Sequence, residues 1–148
     1  MFPQTGIKTI FNKNNSPFKE QTITCVKTDQ SGLNWIGTLK GLFYFNGNKW
    51  IKLTTKNSEL PSNKVLCMEI EKEKTYIGTD NGLLIINNNN WEIYNTQNSS
   101  LPSNKIRKIK IDNNNIAWLA TSKGLVKHNK EFENVLSSKK TGIKNDDF

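Results

Sequence analysis

The sequence predicts an all-β protein made of β-propeller blades: three four-stranded blades plus one spare N-terminal strand, an open arc unless a second copy or more chain completes it. Three observations carry this reading. A motif occurs three times, as NWIGTLKGL from Asn34, TYIGTDNGL from Thr75 and AWLATSKGL from Ala117, with its aromatic anchors Trp35, Tyr76 and Trp118 spaced 41 and 42 residues apart. Repetition at a period of about 20–50 residues marks solenoids, propellers and arrays. A second block, KNSELPSNKV from Lys56 and QNSSLPSNKI from Gln97, returns after 41 residues, as do Trp50 and Trp91. Each period also holds four short apolar stretches broken by Asn and Gly, which leaves no room for a helix, and no segment has a 3.6-residue apolar period.

Taken in order, residues 1–21 read as the last strand of a preceding blade, Ile7–Asn12, plus its connector, because Asn15-Ser16-Pro17-Phe18 aligns with Asn57-Ser58-Glu59-Leu60. Residues 22–64 read as blade 1, 65–105 as blade 2, 106–136 as a degenerate blade 3 and 137–148 as a polar tail. Blade 2 shows the pattern best, with strands expected at Val65–Glu71, Thr75–Thr79, Leu83–Asn87 and Trp91–Asn95. Between them lie Asp80-Asn81-Gly82 and Asn87 to Asn90, residues that tolerate a positive φ and so make turns. The third repeat fades after Gly124, and Phe132 is the nearest stand-in for the repeated Trp.

The repeated residues have structural roles. Gly37 and Gly78, replaced by Ala120 in the third copy, let neighbouring sheets approach closely. Gly41, Gly82 and Gly124 suit a tight turn between the second and third strands. Trp35, Tyr76 and Trp118 are large apolar bodies with a polar handle, fitted to packing between blades. Leu60-Pro61 and Leu101-Pro102 fall in the connectors, where proline fixes φ and cannot join a ladder.

The pattern W-I-G-T-x-x-G-L, followed by a W-x-x-Y/L strand and N-S-x-L-P-x-N-x-V/I, resembles the two-component regulator propeller repeat over about residues 7–136. That repeat builds the sensor regions of bacterial hybrid two-component systems. The resemblance implies a propeller, a periplasmic setting and a ligand-sensing role, often toward glycans. Related propellers also serve as scaffolds in secretion-associated and surface assemblies. The chain carries fewer repeats than such sensor regions and shows no histidine-kinase region.

Composition excludes more than it selects. No apolar run approaches the roughly 20 residues that span a bilayer, so no membrane insertion is expected. The N-terminus lacks a basic segment followed by an apolar core. The expectation is therefore a cytoplasmic protein if the chain is complete as written, and a periplasmic or extracellular one if it is a segment of an exported sensor. Asn is frequent, at 22 residues, and mostly fills turns. Cys25 and Cys67 are 42 apart at matching strand positions, too distant for a disulfide, and read as small buried hydrophobes. No zinc cluster or EF-hand loop occurs. The run Asp112 to Asn115 lacks the ordered acids of a calcium loop, so neither metal nor cofactor is expected.

Catalysis is not indicated. The single histidine, His128, lies near the end of a strand in the weakest repeat, and no nucleophile elbow, P-loop or zincin motif occurs. Asp29, Glu71 and Asp112 recur at matching positions after the first strand, which argues for turn chemistry rather than an acid/base pair. The net charge of +8 raises an anionic partner. Lys105 to Lys110 alternates basic and apolar residues, placing Lys108 and Lys110 on one face and Arg107 on the other. Without a nucleic-acid motif, the charge points to an acidic glycan, lipopolysaccharide or acidic protein rather than to nucleic acid.

In a propeller, the loops between strands two and three and the connectors between blades emerge on one face. Here these are Thr38–Gly41, Thr79–Gly82, Thr121–Gly124, Asn57–Lys64 and Asn98–Lys105. Lys40, Asp80, Asn81, Ser122 and Lys123 vary within this fixed frame and, with Lys64 and Lys105, are the candidate ligand-binding residues. Closed propellers have about 4–8 blades. An arc of three exposes apolar sheet face, so the chain is expected to be part of a longer propeller or to close a six-bladed ring with a second copy. In that ring the spare strand Ile7–Asn12 would complete the partner's third blade.

Overall fold

The structure, a computed structural model, describes residues 14, 16–18 and 21–137. Ile7–Asn12 and the tail from residue 138 onward lie outside the described residues. The described chain is all β. Blade 1 comprises β1 (Ile23–Thr28), β2 (Asn34–Thr38), β3 (Gly41–Phe45) and β4 (Trp50–Leu53). Blade 2 comprises β5 (Val65–Glu71), β6 (Lys74–Thr79), β7 (Gly82–Asn87) and β8 (Asn90–Tyr94). Blade 3 comprises β9 (Ile106–Ile111), β10 (Ala117–Thr121), β11 (Gly124–His128) and β12 (Phe132–Ser137). Each sheet is an antiparallel meander in chain order. The first strands pack side by side, β1 on β5 and β5 on β9, so the blades fan outward from an inner edge in an open, unclosed arc.

Two cores hold the arc together, one in each gap between blades. Leu42, Leu60, Val65, Met68, Ile77, Leu84 and Ile86 fill the gap between blades 1 and 2. Cys67, Tyr76, Leu83, Ile85, Leu101, Ile106, Ile109, Leu119 and Val126 fill the gap between blades 2 and 3. Blade 2 thus spends both faces on cores: β7 is buried from Gly82 through Ile86. This is why its strand reads as the continuous apolar run GLLII rather than as an alternating pattern.

A β-bulge recurs at the same place in every first strand, shifting register between Ile23 and Cys25, between Val65 and Cys67, and opposite Ala120 and Thr121. One extra residue reverses the side-chain parity that follows it. Ile106 therefore buries in the same core as Ile109, and Lys108 and Lys110 point elsewhere. Arg107 is the bulged residue. It lines the inner groove together with Lys108 and Lys110.

The third blade is complete. β12 pairs with β11, and Phe132 stands opposite His128 as Trp50 stands opposite Phe45 and Trp91 opposite Ile86. Its turn is shorter, closed by the Asn129 amide on the Glu131 carbonyl, and Phe132 holds the place of the repeated Trp, as read from the sequence. The fourth place in blade 3 is occupied by the chain itself, which removes the vacancy that the spare strand of a second copy was expected to fill.

Candidate ligand-binding face

The loops between second and third strands share one construction. Thr38, Thr79 and Thr121 are fully buried, and each donates its hydroxyl to the carbonyl of the glycine three residues on, at 2.8 Å in all three copies. The same oxygens accept the amides of Lys40, Asn81 and Lys123. The glycines Gly41, Gly82 and Gly124 sit at φ of 136°, 130° and 140°, conformations that a side chain rarely adopts. A Cβ on Gly41 would also lie 2.8 Å from the Leu53 carbonyl oxygen. The turn is thus rigid in every blade, and Lys40, Asn81 and Lys123 are presented from it at identical positions, all exposed.

The connectors are equally ordered. Asn57 accepts the Thr54 amide at 2.7 Å and donates to the Lys52 carbonyl, and Asn98 does the same with Asn95 and Ile93. Asn63 and Asn104 accept the amides of Thr55 and Thr96, while Leu60 and Leu101 anchor the segment in the two cores. Each connector is clasped to the turn of the blade it enters. The Asp80 amide donates to the Lys64 carbonyl and the Ser122 amide to the Lys105 carbonyl. The side chains repeat the contact: Ser62 donates to Asp80 at 2.5 Å, and the Ser103 and Ser122 hydroxyls lie 2.6 Å apart.

These contacts sort the seven candidate residues. The structure brings Lys64, Asp80 and Asn81 together on blade 2, and Lys105, Ser122 and Lys123 together on blade 3. Lys40 takes the matching place on blade 1. Asp80 and Ser122 are half-buried and committed to the clasp, with Asp80 also facing the Lys64 ammonium at 3.9 Å. Lys40, Lys64, Asn81, Lys105 and Lys123 project from the rim. On blade 1 the clasp position is held by Leu39, which is 39% exposed.

The sequence reading singled out Arg107, Lys108 and Lys110 but missed Lys27 and Glu69 beside them on the inner wall of the arc. Lys27, Glu69 and Lys110 occupy one repeat position on β1, β5 and β9. Glu69 accepts from Lys27 at 2.7 Å and lies 3.7 Å from the Lys110 ammonium. With Arg107 and Lys108 they line a groove of about 250 Å³ along the inner strands. The 42- and 41-residue spacings that aligned the motif would have aligned these positions too.

The remaining singled-out residues have packing roles. Trp35 and Trp118 donate their indole N–H to Asp29 and Asp112 at 3.0 and 2.8 Å, and the same carboxylates accept the backbone amides of the turn. The Trp118 bond and the turn amides hold the Asp112 carboxyl below its usual range. For Asp29, burial pushes upward but is outweighed by donors from Ser31, Trp35 and Leu33. Asp112 is thus already engaged by its own turn. Tyr76, which has no indole, is matched by Glu71 instead of Asp. His128 is buried among Phe132, Tyr76 and Tyr94, and burial pushes its pKa down. Cys25 and Cys67 are free thiols packed over Gly37 and Gly78 on the neighbouring strand. Burial, followed by the nearness of Cys25, pushes Cys67 up to about 12.

No protein-family model matches the chain, and no curated protein matches it. Solved structures do. The chain is similar to the extracellular domain assigned to the hybrid two-component system BT3049 of B. thetaiotaomicron, at 26% identity and a TM-score of 0.69, over 78% of this chain and 17% of that one. The resemblance read from the motif therefore extends to three dimensions. It is similar as well to PorZ, a surface component of the type-IX secretion system of Porphyromonas gingivalis, at 13% identity and a TM-score of 0.60, over 84% of this chain and 22% of that one. This second likeness is one of fold. The chain spans less than a quarter of either structure's length.

Proposed function

We propose that the protein is a non-catalytic binding module of the sensor type, which presents a rigid, lysine-bearing rim to an anionic ligand such as an acidic glycan. One observation carries this reading: Lys40, Lys64, Lys105 and Lys123 are exposed on a single loop face whose backbone is locked by the same threonine, glycine and connector bonds in each blade. A fixed frame with variable exposed tips is how binding sites are mounted on rigid scaffolds. The likeness to a two-component extracellular domain supports the same reading. So does the chemistry of the titratable groups. His128 is enclosed by aromatic rings, and Asp29 and Asp112 are spent on their own turns.

An array of neutral and acidic glycans tests this. Acidic glycans are expected to bind, to weaken as salt rises, and to lose most of their binding when Lys40 and Lys123 are both changed to Glu. Asp80→Asn should perturb the clasp more than the ligand. Binding indifferent to Lys40, Lys123 and salt, or no binding across the array, would overturn the reading. A second reading, a protein-binding scaffold as in a surface assembly, is favoured by a different feature: Ile23 and Val26 at the open end of blade 1 are 47% and 56% exposed.

A further inference from the structure

The two ends of the arc are not alike. At the blade 1 end, Ile23 and Val26 are 47% and 56% exposed, whereas their repeat equivalents are buried: Val65 and Met68 at 0% and 3%, Ile106 and Ile109 at 0% and 2%. Those equivalents bury because they sit on the preceding blade. Val65 approaches Gly37 so closely that a Cβ there would lie 2.7 Å from it, and Ile106 approaches Gly78 to within 2.8 Å of the same point. The contact is sealed by hydrogen bonds from Thr24 to the Val65 carbonyl and from the Cys67 thiol to the Ile106 carbonyl. The first-strand knob over a second-strand glycine is thus built twice in the molecule, and the blade 1 end holds the knob without the glycine.

The blade 3 end lacks the glycine. Its outer face departs from the face of blade 2 at several positions, among them Ala120 for Gly78, Lys108 for Cys67 and Lys127 for Ile85. The methyl of Ala120 fills the space that a following blade's first residue would enter. Lys108 is exposed, Lys110 is 70% exposed, and Lys127 pairs with Glu133 of its own sheet at 3.3 Å. A polar outer face on a terminal unit is how repeat proteins cap their stacks. A second copy docked head to tail would bury Lys108, and Lys127 with its Glu133 partner, against Ile23 and Val26.

We infer that the arc is polar: the Ile23–Val26 end docks a β-blade carrying a glycine in its second strand and an apolar face around it, and the blade 3 end is a cap that accepts no blade. The required occupant is a propeller blade of Gly37 or Gly78 type, and not a second copy of this chain. This goes beyond the ligand reading, since it concerns the end of the arc rather than the loop rim, and either can fail without the other.

Sedimentation velocity tests it with the full chain. The wild type is expected to stay monomeric over a wide concentration range. The cap-reversed variant Lys108→Cys, Ala120→Gly, Lys127→Ile should gain the missing face and associate head to tail, with at least a doubling of mass. Adding Val26→Lys should return it to the monomer. Wild-type association abolished by Val26→Lys would overturn the inference, because the face would then take a second copy. A folded cap-reversed variant that remains monomeric would overturn it equally. Should the triple variant lose its strand signature in circular dichroism, Ala120→Gly with Lys127→Ile provides the same comparison.

Discussion

Blade 2 and blade 3 carry the same motif, TYIGTDNGL and AWLATSKGL, and fold to the same four-stranded meander, but among the described residues only blade 2 is covered on both faces. Comparing them separates residues that serve a blade from residues that serve its neighbour. The threonine and the second glycine are unchanged between the two, at Thr79 and Gly82 and at Thr121 and Gly124, and make the same 2.8 Å bond. They close the turn of their own sheet. The first glycine and the thiol facing it are present at Gly78 and Cys67, which pack against blade 3, and are replaced by Ala120 and Lys108 on the outer face of blade 3. These two motif positions therefore serve the contact between blades rather than the integrity of the sheet that carries them.

The comparison can be broken most directly at Leu83 and its equivalent Leu125. Leu83 is fully buried between blades 2 and 3, and Leu125 is half-exposed on the outer face of blade 3. Leu83→Ala should cost about 2–5 kcal/mol, the range for a core leucine, and Leu125→Ala less than half of that in urea unfolding. Equal losses would show that the outer face of blade 3 is a packed interface. The glycine pair comes next. Gly78→Ala places a methyl 2.5 Å from the Cys67 sulfur of its own sheet and 2.8 Å from Ile106 of blade 3, and should cost about 1–3 kcal/mol by overpacking. Ala120→Gly meets no such neighbour and should cost only the strand-glycine penalty of about 0.5–1 kcal/mol. Both are read from the same unfolding curves.

Much of this architecture was legible in the sequence, because a period of 41–42 residues that aligns aromatic, glycine and connector positions leaves few alternatives to stacked sheets. The strands of blade 2 were legible because buried apolar runs alternate with Asn- and Gly-rich turns. Two things were not. The first-strand bulge leaves no compositional mark, since Thr24, Leu66 and Arg107 have nothing in common, so the side of each first-strand residue could be set only by the ladder. The clasp between connector and turn was hidden because it runs mainly through backbone groups, with Ser62 to Asp80 and Ser103 to Ser122 as its side-chain share. Asp80 and Ser122 therefore looked like free ligand-binding positions, although each already has a partner.

The smallest expected effect lies at His128, which takes the position that Ile86 holds in blade 2 and Phe45 in blade 1. Its ring stacks 4.3 Å from Phe132 and lies near Tyr76 and Tyr94, with Lys74 and Glu92 as the charged groups acting on it. Burial lowers its pKa first, the positive charge of Lys74 lowers it further, and Glu92 opposes them. Because the folded value lies below the unfolded one of about 6.5, the unfolded chain binds the proton more readily. Stability is therefore full above pH 6.5 and falls as pH drops below it, until the folded pKa is reached and the slope ends. His128→Phe should remove this slope between pH 6.5 and 5, leaving the acid transition of Asp29 and Asp112. Those carboxyls have lowered folded values, so their contribution is present above about pH 3.9 and is lost as pH falls through those values. Urea midpoints for both proteins across pH 7.5 to 5 read the difference directly. Parallel curves would mean that the histidine is hydrated in the folded state and that the aromatic gap between blades 2 and 3 is open to water.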